Sequence, residues 1–136
     1  MAVPLASLMR YLVTETGPDF FKEVERLDLS FTQVKALNLL TDGHAVSVKG
    51  LSERIGLSLA GVSRAVEGLV QRGMVKRVED PDDRRAKRLT LTSKGRRTME
   101  GLMALRLAGV REFVARLDPD AHAALQHALR LVGEHP

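Results

Sequence analysis

The stretch from Ser47 to Gly95, SVKGLSERIGLSLAGVSRAVEGLVQRGMVKRVEDPDDRRAKRLTLTSKG, decides the fold. Ser47 offers a capping oxygen to a short helical run ending near Ile55, where Gly56 stops it. Ser58 caps a second run to about Arg72, stopped by Gly73. Two helices joined through Gly56-Leu57-Ser58 have helix–turn–helix spacing. The hydrophobic period then changes. Val75–Glu79 and Ala86–Leu91 read as strands, and Asp80 to Arg85 connects them, with Pro81 where it removes no ladder hydrogen bond. Thr92 caps the helix that follows, so a two-stranded wing comes directly after the helix–turn–helix.

Outward from this centre the helical period dominates. On the N-terminal side, Ser30-Phe31-Thr32-Gln33 is a capping box, and its helix runs to about Leu40 before Asp42-Gly43. Before it, Leu5, Leu8 and Leu12 form an amphipathic stretch interrupted at Gly17-Pro18, giving either one kinked helix or two in series. On the C-terminal side a long helix carries Met99, Leu102, Leu105, Val110, Phe113 and Leu117 near its apolar stripe. Asp118-Pro119 then restarts the chain, and Leu125, Leu129 and Val132 continue to the end. The fold class read from this order is mainly α with a small β-wing. It is expected as a single domain over 1–136, with a winged helix–turn–helix module at 30–95.

Composition narrows the chemistry. The 136 residues are 44% hydrophobic and 28% charged, ordinary for a globular domain. No uncharged stretch approaches the roughly 18 residues of a membrane span. The first ten residues place no basic residue ahead of an apolar run, so they do not read as a secretory signal, and the default location is cytoplasmic. There is no Cys, which excludes disulfides, thiolate catalysis, thiol redox sensing and Cys-based metal sites. His44, His122, His127 and His135 lack metal-ligand spacing, and no nucleophile–base pair or phosphate loop occurs. No enzyme activity, metal or cofactor is expected. Met99 and Met103 read as core filler.

Charge is localised. Arg72 to Arg97 holds ten basic and four acidic residues, net +6, while the rest of the chain is net −2. In the helix after Ser58, Val62, Val66, Leu69 and Val70 form the core-facing stripe. Ala60, Ser63, Arg64, Glu67 and Gln71 occupy the opposite face. Small and polar residues at a helix N-terminus suit entry into a DNA major groove. A wing-tip arginine suits a narrow minor groove, and Asp83 is placed to orient Arg85 by a carboxylate–guanidinium fork.

These residues resemble the MarR family of winged helix–turn–helix transcription regulators. The matching signatures are Leu51-Ser-Glu-Arg-Ile-Gly-Leu-Ser58, Val62-Ser63-Arg64, Leu69 to Gly73, Asp83-Arg84-Arg85 and Leu91-Thr92 to Gly95, with Leu29-Ser-Phe-Thr-Gln33 ahead of a helix. The resemblance implies a homodimer held by terminal helices, here 1–28 and 96–136, with Leu5, Leu8, Leu12, Leu125, Leu129 and Val132 at the interface. It implies double-stranded operator DNA as partner, contacted by Ser58, Ala60, Gly61, Ser63, Arg64, Arg84 and Arg85. In many members it also implies a small-molecule effector bound between the dimer and DNA-binding lobes, releasing a repressor. The sequence departs from the pattern at Ala60 and Gly61, where polar residues are usual. It departs again at Gly68, which reads as loosening the helix interior, and at Gly17-Pro18, which breaks the first helix. The competing reading is a nucleic-acid-binding or assembly adaptor without effector sensing. Single-strand binding wants aromatic platforms, and none of Tyr11, Phe20, Phe21, Phe31 and Phe113 lies between Arg72 and Arg97.

Overall fold

The computed structural model describes residues 1–15 and 17–133. The elements run α1 (Ala2–Glu15), α2 (Pro18–Arg26), α3 (Phe31–Leu39), α4 (Val48–Ile55), α5 (Leu59–Gln71), β1 (Val75–Glu79), β2 (Lys87–Leu91), α6 (Ser93–Ala115) and α7 (Pro119–Gly133). Two separate helices therefore flank the Gly17-Pro18 step. Among the described residues no helix is long and apolar enough to cross a membrane.

Local chemistry sets most boundaries. Ser30 Oγ accepts from the Gln33 amide at 3.1 Å and Gln33 Oε1 accepts from the Ser30 amide at 3.0 Å, a complete capping box. Ser47 and Ser58 cap α4 and α5 by accepting from Gly50 and Gly61. Gly56 closes α4 at φ 78°, a left-handed conformation that costs a glycine little. Thr92 Oγ1 accepts from the Gly95 amide, and Asp118 Oδ1 from the Ala121 amide, starting α6 and α7.

The chain divides into two compact units. The unit of residues 21–103 holds a core built from Leu37, Leu51, Val62, Val66, Leu69 and Leu102, each with no more than 0% exposure. α4 and α5 both pack in it with α3, while Val75, Leu89 and Leu91 turn one face of the hairpin inward. β1 and β2 pair antiparallel with Val75 opposite Leu91 and Glu79 opposite Lys87. Val46 adds a bridge to Leu89, exchanging hydrogen bonds of 3.1 and 2.7 Å, so the linker before α4 extends the wing by one residue. β2 begins at Lys87. Ala86, expected within the strand, instead closes the wing loop, its N–H donating to Asp83 O and its carbonyl accepting from Asp80 N.

Gly68 is not slack in α5. A Cβ there would lie 2.8 Å from Gln33 Nε2, which donates to Ala65 O at 3.3 Å, so the glycine admits the α3 side chain against α5. Val70, expected in the buried stripe, is only half-buried. Met99 is buried as expected, but Met103 is 39% exposed and lines a recess with it.

The other unit comprises residues 1–20 and 104–136. Its packing includes Arg106 over the Phe20 ring at 4.2 Å and a tilted Tyr11–Phe113 pair at 5.9 Å. α1 and α7 contain no buried residue. Val110, expected on the inward stripe of α6, is 39% exposed.

Candidate nucleic-acid interface

α5 presents a clean division of faces. Val62, Val66 and Leu69 are fully buried, which turns Ala60, Ser63, Arg64, Glu67 and Gln71 to solvent. Gly61 is half-buried at the helix start. The Ser58 oxygen is committed to capping, yet a hydroxyl that accepts retains a proton to donate. At this end of the helix the backbone amides and positive dipole favour an anion.

The wing loop is shaped by two aspartates. Asp80 Oδ1 accepts from the Asp82 amide and Asp83 Oδ1 from the Arg85 amide, each at 2.9 Å. These are two successive turns of the kind in which an aspartate mimics a backbone acceptor. With Ala86 N–H bonded to Asp83 O, Arg84 and Arg85 become the central residues of a tight turn at the tip, and both are exposed. The expected fork between Asp83 and the Arg85 guanidinium is corrected: Asp83 acts on Arg85 through its backbone. One oxygen of its carboxylate, Oδ1, accepts from the Arg85 amide. No ion pair between these side chains occurs among the described residues.

The charge-assisted pair in the wing is one the sequence does not flag. Arg88 Nε donates to Asp80 Oδ2 at 2.6 Å, and its other arm donates to Ala45 O at 3.1 Å. The Arg88 guanidinium, with the Asp82 amide second, holds the Asp80 carboxyl below its ordinary range.

Not every base in the +6 segment is free to meet a polyanion. Arg72 donates to the carbonyls of Leu27 and Asp28, tying the end of α5 to the α2–α3 turn. Lys94 donates to Arg72 O, Arg77 pairs with Glu67, and Lys87 lies 3.6 Å from Glu79 across the hairpin. Of the segment's bases, Lys76, Arg84, Arg85 and Arg97 are exposed and make none of these contacts, and Arg64 on α5 is exposed as well. Spacing alone does not separate these two classes of arginine and lysine, since contacts such as Arg72 to Asp28 bridge more than forty positions.

A recess of about 260 Å³ in the same unit is lined by Asn38, Thr41, Arg96, Met99, Glu100 and Met103. Among the described residues no group of three or more acids or histidines is placed to hold a metal ion, and His135 lies outside them.

The expected terminal contacts fall in the unit of residues 1–20 and 104–136. Leu5, Leu129 and Val132 are 54%, 61% and 68% exposed, whereas Leu8, Leu12 and Leu125 are half-buried.

Comparison with known proteins agrees with this layout. Residues 27–86, from the turn before α3 to the end of the wing loop, match the model described as MarR family. An uncharacterized HTH-type transcriptional regulator of Bacillus subtilis, YfiV, is 26% identical over 121 residues, covering 89% of this chain and 76% of that protein. The structure of RV1404 from Mycobacterium tuberculosis superposes with a TM-score of 0.82 at 22% identity, over 98% of this chain and 90% of that one. A mutant S. aureus MepR bound to an oligodeoxyribonucleotide superposes at 0.71 with 18% identity, over 96% of each chain. With its capped helix–turn–helix and its wing, the chain has a winged-helix fold, and residues 27–86 are similar to the MarR family of regulators.

Proposed function

We propose that this chain is a homodimeric, sequence-specific double-stranded-DNA-binding transcription regulator, acting as a repressor that a small-molecule effector releases. The observation that carries the reading is the pairing, in one compact unit, of an exposed α5 face with an exposed two-arginine wing tip. Ser58, Ala60, Gly61, Ser63 and Arg64 enter the major groove, and Arg84 and Arg85 reach the adjacent minor groove, where a narrow groove concentrates negative potential. With two small residues at the helix start, base-edge donors are few, so phosphate contacts and DNA shape supply much of the recognition.

Leu5, Leu8, Leu12, Leu125, Leu129 and Val132 join two copies about a two-fold axis, which makes the operator a pseudo-palindrome. The MepR neighbour captured on an oligodeoxyribonucleotide supports the DNA reading by likeness of fold. For the effector, the recess lined by Asn38, Thr41, Arg96, Glu100 and two methionines offers one cation, one carboxylate, polar groups and apolar surface, a lining suited to a small amphiphilic molecule.

Selection of bound fragments from a random-sequence duplex pool tests the reading. The expected product is an inverted repeat with half-sites about one helical turn apart. An asymmetric motif, or no enrichment at low salt, would sink it.

A further inference from the structure

Glu67 and Arg77 join the recognition helix to the wing. Arg77 donates to Glu67 Oε2 at 2.6 Å. Glu67 follows Ser63 by one helical turn on the exposed face of α5, about 6 Å further along the axis. Arg77 stands opposite Leu89 in the hairpin, so the two share a face. Leu89 is buried, whereas Arg77 is exposed and its guanidinium bridges β1 to α5 through Glu67. Both side chains keep contact with solvent, at 38% and 50% exposure.

An exposed pair of this kind adds little to fold stability. Its position says more. With α5 in a major groove and the wing tip in the neighbouring minor groove, the sugar–phosphate strand dividing the two grooves crosses the α5–β1 seam. A guanidinium there suits a phosphate oxygen. A carboxylate does not, and this one lies five residues ahead of the basic segment 72–97, paired with one of its arginines.

We infer that Glu67 is a brake on sequence-independent DNA binding: it occupies Arg77 and competes with phosphate for that guanidinium. This rests on the DNA-binding reading above. The brake sets the level of sequence-independent affinity. Phosphate contacts raise affinity for every duplex alike, so restraining one lowers binding to all of them and leaves the ratio between selected and scrambled duplexes to the base-facing residues.

The test uses the full chain with Glu67→Gln, Arg77→Ala and the double variant. Binding is read by fluorescence anisotropy from 50 to 200 mM salt, the range over which phosphate contacts are diagnosed. The probes are a duplex recovered by selection and a scrambled duplex of equal length. Glu67→Gln is expected to tighten both by roughly two- to fivefold, the equivalent of releasing one exposed pair. It is also expected to steepen the log–log salt slope by about 0.9, one further phosphate. In the Arg77→Ala background Glu67→Gln should leave the slope unchanged. Glu67→Ala serves as a second variant, and circular dichroism checks that each one folds.

An unchanged slope for Glu67→Gln, or the same tightening with and without Arg77, overturns the brake. Lost discrimination at a single base pair overturns it too, since that marks a carboxylate reading a cytosine amino group. Failure of the unmodified protein to bind either duplex at 50 mM overturns the DNA reading itself.

Discussion

Arg88 clamps the base of the wing to the linker before α4: its Nε meets Asp80 Oδ2 at 2.6 Å while its terminal nitrogen meets Ala45 O at 3.1 Å. Asp80 is buried and also accepts from the Asp82 amide, so one carboxylate fixes both the ion pair and the first turn of the loop. The Val46–Leu89 bridge lies next to the same clamp. Arg88→Ala is therefore expected to loosen the wing while leaving the helical core intact. Amide exchange from Asp80 to Lys87 should accelerate, operator affinity should fall, and the protection of α5 should hold. Unchanged exchange in the wing loop would remove Arg88 from this role.

The same pair predicts an acid dependence. The Arg88 guanidinium, then the Asp82 amide, lower the Asp80 pKa from its ordinary 3.8. A carboxylate whose pKa is depressed by folding contributes stability that is complete above the unfolded value and disappears as pH falls through the folded one. Asp80→Asn should thus be less stable than the parent at neutral pH, and the gap should close below about pH 3.8. Thermal unfolding of both proteins across that window checks it. A gap that persists in acid would mean that the ionised carboxylate contributes nothing.

Asp83 and Arg85 part company in the variants they predict. Arg85 is exposed at the tip, so Arg85→Ala should leave the melting temperature unchanged and weaken operator binding by about 1–3 kcal/mol. Asp83 shapes the turn through an oxygen that asparagine also carries. Asp83→Asn should preserve the turn and, by removing a negative charge, bind DNA as well as the parent or better. Asp83→Ala loses the acceptor and should bind more weakly. If asparagine and alanine weaken binding equally, the carboxylate charge matters and the turn does not.

Gly95 tests how closely α6 meets the wing. A Cβ at this position would stand 2.0 Å from Met74 O and 3.2 Å from a Leu91 methyl. The backbone carbonyl has little room to yield, since it also accepts from the Thr92 amide. Gly95→Ala should destabilise the fold by about 3 kcal/mol, the upper part of the usual overpacking range. Gly101, on the same helix with open space around it, is the control, and alanine there should be neutral or stabilising. Denaturant unfolding of the two variants separates these outcomes.

What the sequence made legible was local. Ser30, Ser47, Ser58, Thr92 and Asp118 act within three residues of themselves, so their caps are readable from spacing. The helix–turn–helix and the hairpin follow from the same short-range signals. The contacts that needed register or tertiary packing were hidden. Asp80, Asp82 and Asp83 look equivalent in sequence, and hairpin closure through Asp80 N and Ala86 O decides which one Arg88 engages. Gly68 reads as slack by helix propensity, and only the arrival of Gln33 from α3 gives it a purpose. The Val46 bridge is too short to show a period.

Dimerisation gives the last prediction. α1 and α7 bury no residue within the chain, and Leu129 and Val132 lie one turn apart on α7 at 61% and 68% exposure. Among the described residues of a lone copy both stay mostly exposed, so their contribution to its own stability is small. In a two-fold interface each substitution acts twice, because the same patch is presented by both copies. Burying one leucine is worth about 1.5–3 kcal/mol, so losing it costs a symmetric dimer about 3–6 kcal/mol, roughly a hundred- to ten-thousandfold in dissociation constant. Leu129→Glu should convert a dimer at micromolar concentration to a monomer in sedimentation velocity while keeping its helical circular dichroism. Operator affinity should fall with it, since one half-site then binds without its partner. A parent protein that sediments as a monomer would overturn the dimer itself, and a Leu129→Glu variant that remains dimeric would place the interface elsewhere.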